Sequence, residues 1–354
     1  MAGGDVEARR LGERLLLEVE VEGLSSVFSS LRELGSGNEN TEAESSRSIF
    51  GIPELDALIT SPSPSVLELV SPPPTHHPSG AGKTSLLYLI IAHAILPATF
   101  DTIPDLNGHN AAIILFDPLH HFSVPRLAST MLHLLTSKLQ TPAATLDEST
   151  KTSLINLTAL SLDHVHIFHP QSWASLQTTL ATLPEYLFNT TRHKSTNRRI
   201  HTLILEDTDA FTWPLRAMHS SSTTNPHPPP SQTLTTQLLH LSTLLSCNIL
   251  TTSPSLVPTA FRPALPSSWP SGVQLTRLAV RRIEVVKFAP EMSIEQAEAE
   301  KGARWDVVRR GRFECWRVGG AGLGPRRHGN AGEEQGFVFC VGREGVSVER
   351  EERG

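Results

Sequence analysis

The sequence predicts an α/β fold: a mostly parallel central sheet flanked by helices, with antiparallel strands at its C-terminal edge. Three observations predict it. Strand-like and helix-like stretches alternate from residue 66 to residue 252, the pattern that lays parallel strands side by side with helices on their faces. Two of the strand-like runs, Val66–Val70 and Ala111–Phe116, are largely apolar at successive positions, as a strand covered on both faces requires. Beyond residue 275 the pattern changes to alternating strands around a Gly-rich loop, which suits an antiparallel extension of the same sheet.

In chain order, residues 6–34 predict an amphipathic helix with Leu11, Leu15, Leu16 and Val19 on one side. Residues 35–48 are polar and acidic and read as a linker. A short helix falls within Phe50–Ile59, where Leu55, Leu58 and Ile59 share a face. The strand Val66–Val70 leads into a Pro/His-rich loop. Ser79-Gly80-Ala81-Gly82-Lys83-Thr84-Ser85 then opens a helix that is apolar round most of its circumference and ends at Pro97. The strand Ala111–Phe116 stops at Asp117-Pro118, and Ser123–Leu139 has helical spacing. Thr141–Ser153 reads as a polar link, Val165–Phe168 as a strand, Trp173–Phe188 as a helix and Asn189–Arg199 as a basic loop.

Thr202–Leu205 is a further apolar strand, ending in Glu206-Asp207-Thr208-Asp209. Trp213–Ser231 is a Pro/Ser-rich flexible loop. Leu234–Ser246 predicts a helix, Asn248–Thr252 a strand and Ser253–Gly272 a second flexible loop. Leu275–Phe288 reads as β structure, and Ser293-Ile294-Glu295-Gln296 as a capping box opening a short helix. Arg312–Val318, Phe337–Val341 and Val346–Val348 read as short strands. Residues 1–48 thus form an N-terminal helical segment and linker, and 49–354 the core.

Composition fits that division. The chain has 354 residues, 39% hydrophobic and 19% charged, enough to bury a core and too apolar for wholesale disorder. A net charge of −6 excludes a protein that coats duplex DNA by charge alone and leaves room for a local basic groove. Three widely spaced cysteines suit a reducing compartment and not a disulfide framework. The N-terminus, MAGGDVEARR, has no apolar stretch of the secretory kind. The run Leu86–Leu96, broken by His93, is too short to span a bilayer, so no membrane is expected. Two histidine pairs, His76-His77 and His120-His121, have Asp117 as their one sequence-near carboxylate, so they read as loop composition and not as metal ligands.

The chemistry concentrates at Ser79–Ser85. Strand, Gly-rich turn, Gly-Lys-Thr and helix is the context of a phosphate-binding P-loop. Glycines let successive N–H groups turn inward on an anion, and the helix N-terminus adds partial positive charge. Ser79, Gly80, Ala81, Gly82, Lys83, Thr84 and Ser85 would cradle ATP, with Lys83 at the β- and γ-phosphates and the Thr84 hydroxyl on Mg²⁺. The motif departs from G-x-x-x-x-G-K-[ST] at its first glycine, where His77 stands. The other reading is a Gly-rich turn ahead of a core helix, with no nucleotide.

Four stretches, in order, resemble the RecA-type recombinase family, and within it the eukaryotic recombinase paralogues. They are GIPELDAL (Gly51–Leu58), GAGKTSLLYLIIAHAILP (Gly80–Pro97), ILFDPLHHFSVPRL (Ile114–Leu127) and LILEDTDAFTW (Leu203–Trp213). The resemblance implies a RecA-like P-loop core binding ATP and Mg²⁺. It implies a nuclear accessory subunit, working with other recombinase paralogues in a hetero-oligomer during double-strand-break repair by homologous recombination. Single-stranded or branched DNA would be met through that complex.

The last stretch resembles the family's Walker B strand. Without gaps Glu206 takes the Mg²⁺ carboxylate position; shifted by one residue, Asp207 does, and a shorter carboxylate is usual there. Successive strand residues face opposite sides, so one of the two serves. The remaining reading is an acidic turn with no metal. Active family members carry a glutamate in the turn after the second core strand, which activates the attacking water. Aligned through Asp117 and Phe122, that position is Leu119, which can neither orient nor deprotonate water. ATP is therefore expected to act mostly as a structural ligand, with weak or absent hydrolysis. The alternative is an active DNA-dependent ATPase that pairs strands itself, with a base from Asp117, Glu206 or Asp209.

The family's DNA-facing loops would fall at 213–231 and 253–272. Trp213, Arg216 and His219 in the first and Phe261, Arg262 and Trp269 in the second are the cations and stacking aromatics that single-strand binding uses. Variable surface loops are the other reading. Val27-Phe28-Ser29-Ser30 echoes the family's Phe-x-x-Ala docking segment, although Phe28 equally suits an ordinary amphipathic helix.

Overall fold

The computed structural model describes residues 48–59, 65–73, 81–100, 103, 105–139, 146–212, 214–215, 230–257, 260–264, 268–283, 292–309, 311–319 and 336–349. The chain divides after Arg47, and the described residues all belong to the second unit, Ser48–Gly354. The helix expected at 6–34, its linker up to Arg47, and Ser79, Gly80, His76 and His77 lie outside the described residues.

Six strands pair in parallel: β1 (Val66–Ser71), β2 (Ala112–Phe116), β3 (Val165–Phe168), β4 (Ile200–Leu205), β5 (Asn248–Pro254) and β6 (Leu275–Arg282). Three more continue the sheet antiparallel: β7 (Arg312–Arg317), β8 (Gly336–Val341) and β9 (Val346–Val348). The strand order is β3-β2-β4-β5-β1-β6-β7-β8-β9. The α/β class, the parallel centre and the antiparallel edge are as the sequence predicts. The described helices are α1 (Pro53–Asp56), α2 (Lys83–Ile95), α3 (Val124–Lys138), α4 (Glu148–Leu162), α5 (Trp173–Phe188), α6 (Pro230–Leu245) and α7 (Ile294–Arg309).

Strand alternation sorts the core into two layers. Leu67, Leu69, Ile113, Leu115, Ile204 and Leu250 pack in one cluster with residues of α1, α2, α3 and α4. Val66, Ala112, Ile114, Phe116, Leu203, Leu205 and Ile249 pack in another with residues of α5 and α6. The helices therefore cover both faces of the sheet, which is why β1, β2 and β4 are buried at every position. From Leu86 to Ile95 every residue of α2 is buried, as expected for a helix apolar all round.

Local chemistry sets the helix starts. Ser123 accepts from Arg126 N, with Pro125 in the first turn of α3. Asp147 accepts from Thr150 N at α4, and Ser172 from Ser175 N at α5. Each side-chain oxygen satisfies a main-chain donor that has no partner within the helix. The capping box at α7 forms in both directions: Gln296 N donates to Ser293 Oγ at 3.2 Å, and Ser293 N to Gln296 Oε1 at 3.2 Å.

Three expectations change. The polar link at 141–153 ends in helix, because α4 begins at Glu148. Its buried positions are Leu154, Thr158 and Ser161, while Ile155 and Leu160 are exposed, so polarity does not mark its inner face. The Pro/Ser loop at 213–231 stops earlier, because α6 starts at Pro230, where the first turn tolerates the missing N–H. Parts of 253–272 are held in place. Ser253 and Pro254 complete β5, Ser255 bridges to Pro263, and Phe261 and Ala264 are buried.

Candidate functional site

Strand parity assembles the site. Leu69, Leu115, Ile204 and Leu250 face the α2 side of the sheet. Two residues on from each come Ser71, Asp117, Glu206 and Thr252, all buried. They bring polar groups to the α2 layer at the C-terminal ends of β1, β2, β4 and β5. The C-terminal ends of parallel strands are where open α/β sheets bind ligands.

Helix α2 starts at this edge. Gly82, its N-cap, has φ +87°, and a Cβ there would stand 2.6 Å from the Phe313 ring on β7, so glycine is required both by the backbone and by the space. Lys83 Nζ donates to Ser71 Oγ at 2.8 Å. Thr84 donates its hydroxyl to Glu206 Oε1. Ala81 precedes the helix and Ser85 lies in its first turn.

The two adjacent acids diverge. Glu206 faces Thr84. Asp207, with φ +50°, places Oδ2 2.7 Å from His121 Nδ1, and its N–H donates to Thr252 Oγ1 at 2.9 Å. Asp117 is fully buried and accepts from the N–H groups of His121 and Phe122, each at 3.0 Å, so it ties down its own turn. Leu119 is 45% exposed on that turn. His120 stacks on His169, ring centroids 4.1 Å apart. The His120-His121 pair is thus partnered, and the carboxylate facing His121 comes from 86 positions away.

The electrostatics are those of crowded carboxylates. Burial pushes the Glu206 carboxyl up to about 7, against the hydrogen bond from Thr84, with the charges of Asp207 and Asp117 adding to the rise. Burial and then Asp207 push Asp209 up to about 6. Burial lowers the Lys83 ammonium from its ordinary value, while Asp207, Asp209 and Glu206 work to hold it up. Glu206 Oε2 and Asp209 Oδ1 are buried with no hydrogen-bond partner among the described residues. An orphaned buried carboxylate oxygen beside a Thr hydroxyl is the oxygen donor set that Mg²⁺ takes, so Thr84 and Glu206 fit that ion.

The aromatics expected in the second DNA-facing loop are engaged elsewhere. Phe261 packs edge-on against Trp316, ring centroids 5.0 Å apart. Trp269 Nε1 donates at 2.8 Å to Glu68 Oε1, and Arg277 grips the same carboxylate at 2.7–2.8 Å. These rings serve packing and leave Arg262 exposed without a stacking neighbour of that loop. Trp213, Arg216 and His219 lie outside the described residues.

Sequence reasoning found Lys83, Thr84 and the acidic turn. It did not find Ser71 and Thr252, which only strand parity places, nor the pairing of His121 with Asp207. No protein-family model matches the chain, and no curated protein matches it significantly. No described helix is long and apolar enough to cross a membrane.

Proposed function

We propose that the chain is an ATP-binding recombinase paralogue with a RecA-like P-loop core, acting in the nucleus as an accessory subunit of double-strand-break repair by homologous recombination. The observation that carries the nucleotide part is the Thr84–Glu206 hydrogen bond. It joins the hydroxyl and carboxylate that such a site uses for Mg²⁺, at the residue next to Lys83 and at the edge of a parallel sheet where ligands bind. Ala81, Gly82, Lys83, Thr84 and Ser85, with Ser79 and Gly80 before them, cradle the phosphates. Thr84 and Glu206 would hold Mg²⁺, which would supply charge neutralisation to the bound phosphates. The recombination part rests on the four family-like stretches, as do the partners: other recombinase paralogues, with single-stranded or branched DNA met through the complex.

Weak or absent hydrolysis follows from the turn after β2. Leu119 offers no proton acceptor, both Asp117 oxygens accept main-chain N–H groups, and Glu206 holds Thr84. Of the bases open to the alternative, a DNA-dependent ATPase that pairs strands itself, Asp117 is therefore occupied at both oxygens and Glu206 at one. Steady-state ATP hydrolysis with and without single-stranded DNA tests the choice. Turnover that DNA leaves unchanged is expected; DNA-stimulated turnover abolished by Lys83→Ala overturns it. Purification from cells tests the assembly: the chain comes with other recombinase paralogues, and a solitary monomer contradicts the accessory role.

A further inference from the structure

Beside the Thr84–Glu206 bond lies a second pair that this reading does not use. His121 Nδ1 stands 2.7 Å from Asp207 Oδ2, with the imidazole 56% exposed and the carboxyl 12% exposed. One end of the ring is fixed and the other is open to solvent.

The turn that carries the ring is held from two sides. Asp117 accepts the N–H groups of His121 and Phe122, the Phe122 ring packs 4.9 Å from Tyr88 of α2, and Ser123 N donates to the Tyr88 hydroxyl at 3.0 Å. The segment is thereby tied to the helix that begins at Lys83. Asp207 is fixed in turn by Thr252 of β5. His121 also lowers the proton affinity of both Glu206 and Asp209, and Asp207 acts on Lys83. Among the described residues, His121 and Lys83 are thus cation-forming groups that act on one set of carboxylates.

We propose that His121, held by Asp207, contacts the terminal phosphate of a bound nucleotide and gives the site its preference for a triphosphate over a diphosphate. The inference rests on the nucleotide reading above. With Nδ1 turned to Asp207 Oδ2 at 2.7 Å, Nε2 is the ring atom left to meet a phosphate oxygen, a charge-assisted contact that a diphosphate, lacking the γ-phosphate, does not receive.

Equilibrium binding of MgATP and MgADP to the full chain, followed with N-methylanthraniloyl nucleotides, tests this. Wild type binds the triphosphate more tightly. His121→Ala weakens triphosphate binding roughly tenfold and leaves the diphosphate within about twofold, as loss of one charge-assisted bond requires. His121→Gln, which keeps an N–H donor, retains part of the preference. If His121→Ala weakens both nucleotides alike, or leaves their ratio unchanged, the proposal is overturned. Where circular dichroism shows His121→Ala to be unfolded, Asp207→Ala decides: it removes the acceptor that holds Nδ1 and must also erode the ratio. Failure of wild type to bind either nucleotide, or binding indifferent to Lys83→Ala, overturns the nucleotide reading and this inference with it.

Discussion

Thr84, in the first turn of α2, donates its hydroxyl to Glu206, just past β4, across 122 positions of sequence. The bond ties the start of α2 to the C-terminal end of β4. It leaves the second oxygen of a buried carboxylate without a hydrogen-bond partner among the described residues, which makes that carboxyl costly to hold charged.

The first prediction follows from that cost. The Glu206 carboxyl sits at about 7 in the folded chain against an ordinary 4.5, so the folded state keeps a proton that the unfolded state releases between those values. The contribution is fully present below pH 4.5 and is lost as pH rises through 7. The nucleotide-free protein should lose on the order of 3 kcal/mol across this window. Glu206→Gln should remove its own share of the slope, leave the share that Asp209 contributes as pH rises through about 6, and exceed wild type in stability at pH 8. Urea unfolding midpoints at a series of pH values read both effects.

Gly82→Ala should destabilise the fold by roughly 2–3 kcal/mol, through positive-φ strain and collision with Phe313. Phe313→Ala in the same chain should relieve the collision and leave the backbone strain, so the two changes are not additive. A double-mutant cycle in urea measures the coupling.

Glu68, 2% exposed in β1, holds Arg277 and Trp269 together. Glu68→Ala should cost about 3–5 kcal/mol, because it strands a partly buried guanidinium. Glu68→Gln keeps an acceptor and should cost less. Trp269 fluorescence should shift in both variants and be larger in the first.

Leu119 is 45% exposed on the turn after β2, where the proposed function would place a water-activating glutamate in an active ATPase. Leu119→Glu should raise ATP turnover by about a hundredfold or more, the usual yield of a positioned base, without changing MgATP affinity. Single-turnover kinetics beside a binding titration separate the two quantities.

What was legible in the sequence was whatever carried periodicity or a motif. The span of α5 matches its expected bounds, and β2 and α3 fall within one residue of theirs, because apolar spacing marks their buried faces. α4 escaped because its inner face carries Thr158 and Ser161 while Ile155 and Leu160 point to solvent. Lys83 and Thr84 were legible from Gly-Lys-Thr alone. The choice between Glu206 and Asp207 was not. Leu203, Ile204 and Leu205 are all apolar, so nothing in β4 tells which parity faces α2. Neither local composition nor spacing joins His121 to Asp207. The Pro/Ser-rich composition around Phe261 and Trp269 concealed that both rings are packed.

Titration calorimetry of MgATP into wild type and Lys83→Ala, without DNA, tests the central claim most directly. One equivalent of MgATP should bind wild type, and the variant should give no binding heat. Absent heat with wild type, or equal binding by the variant, would contradict a nucleotide site at the start of α2.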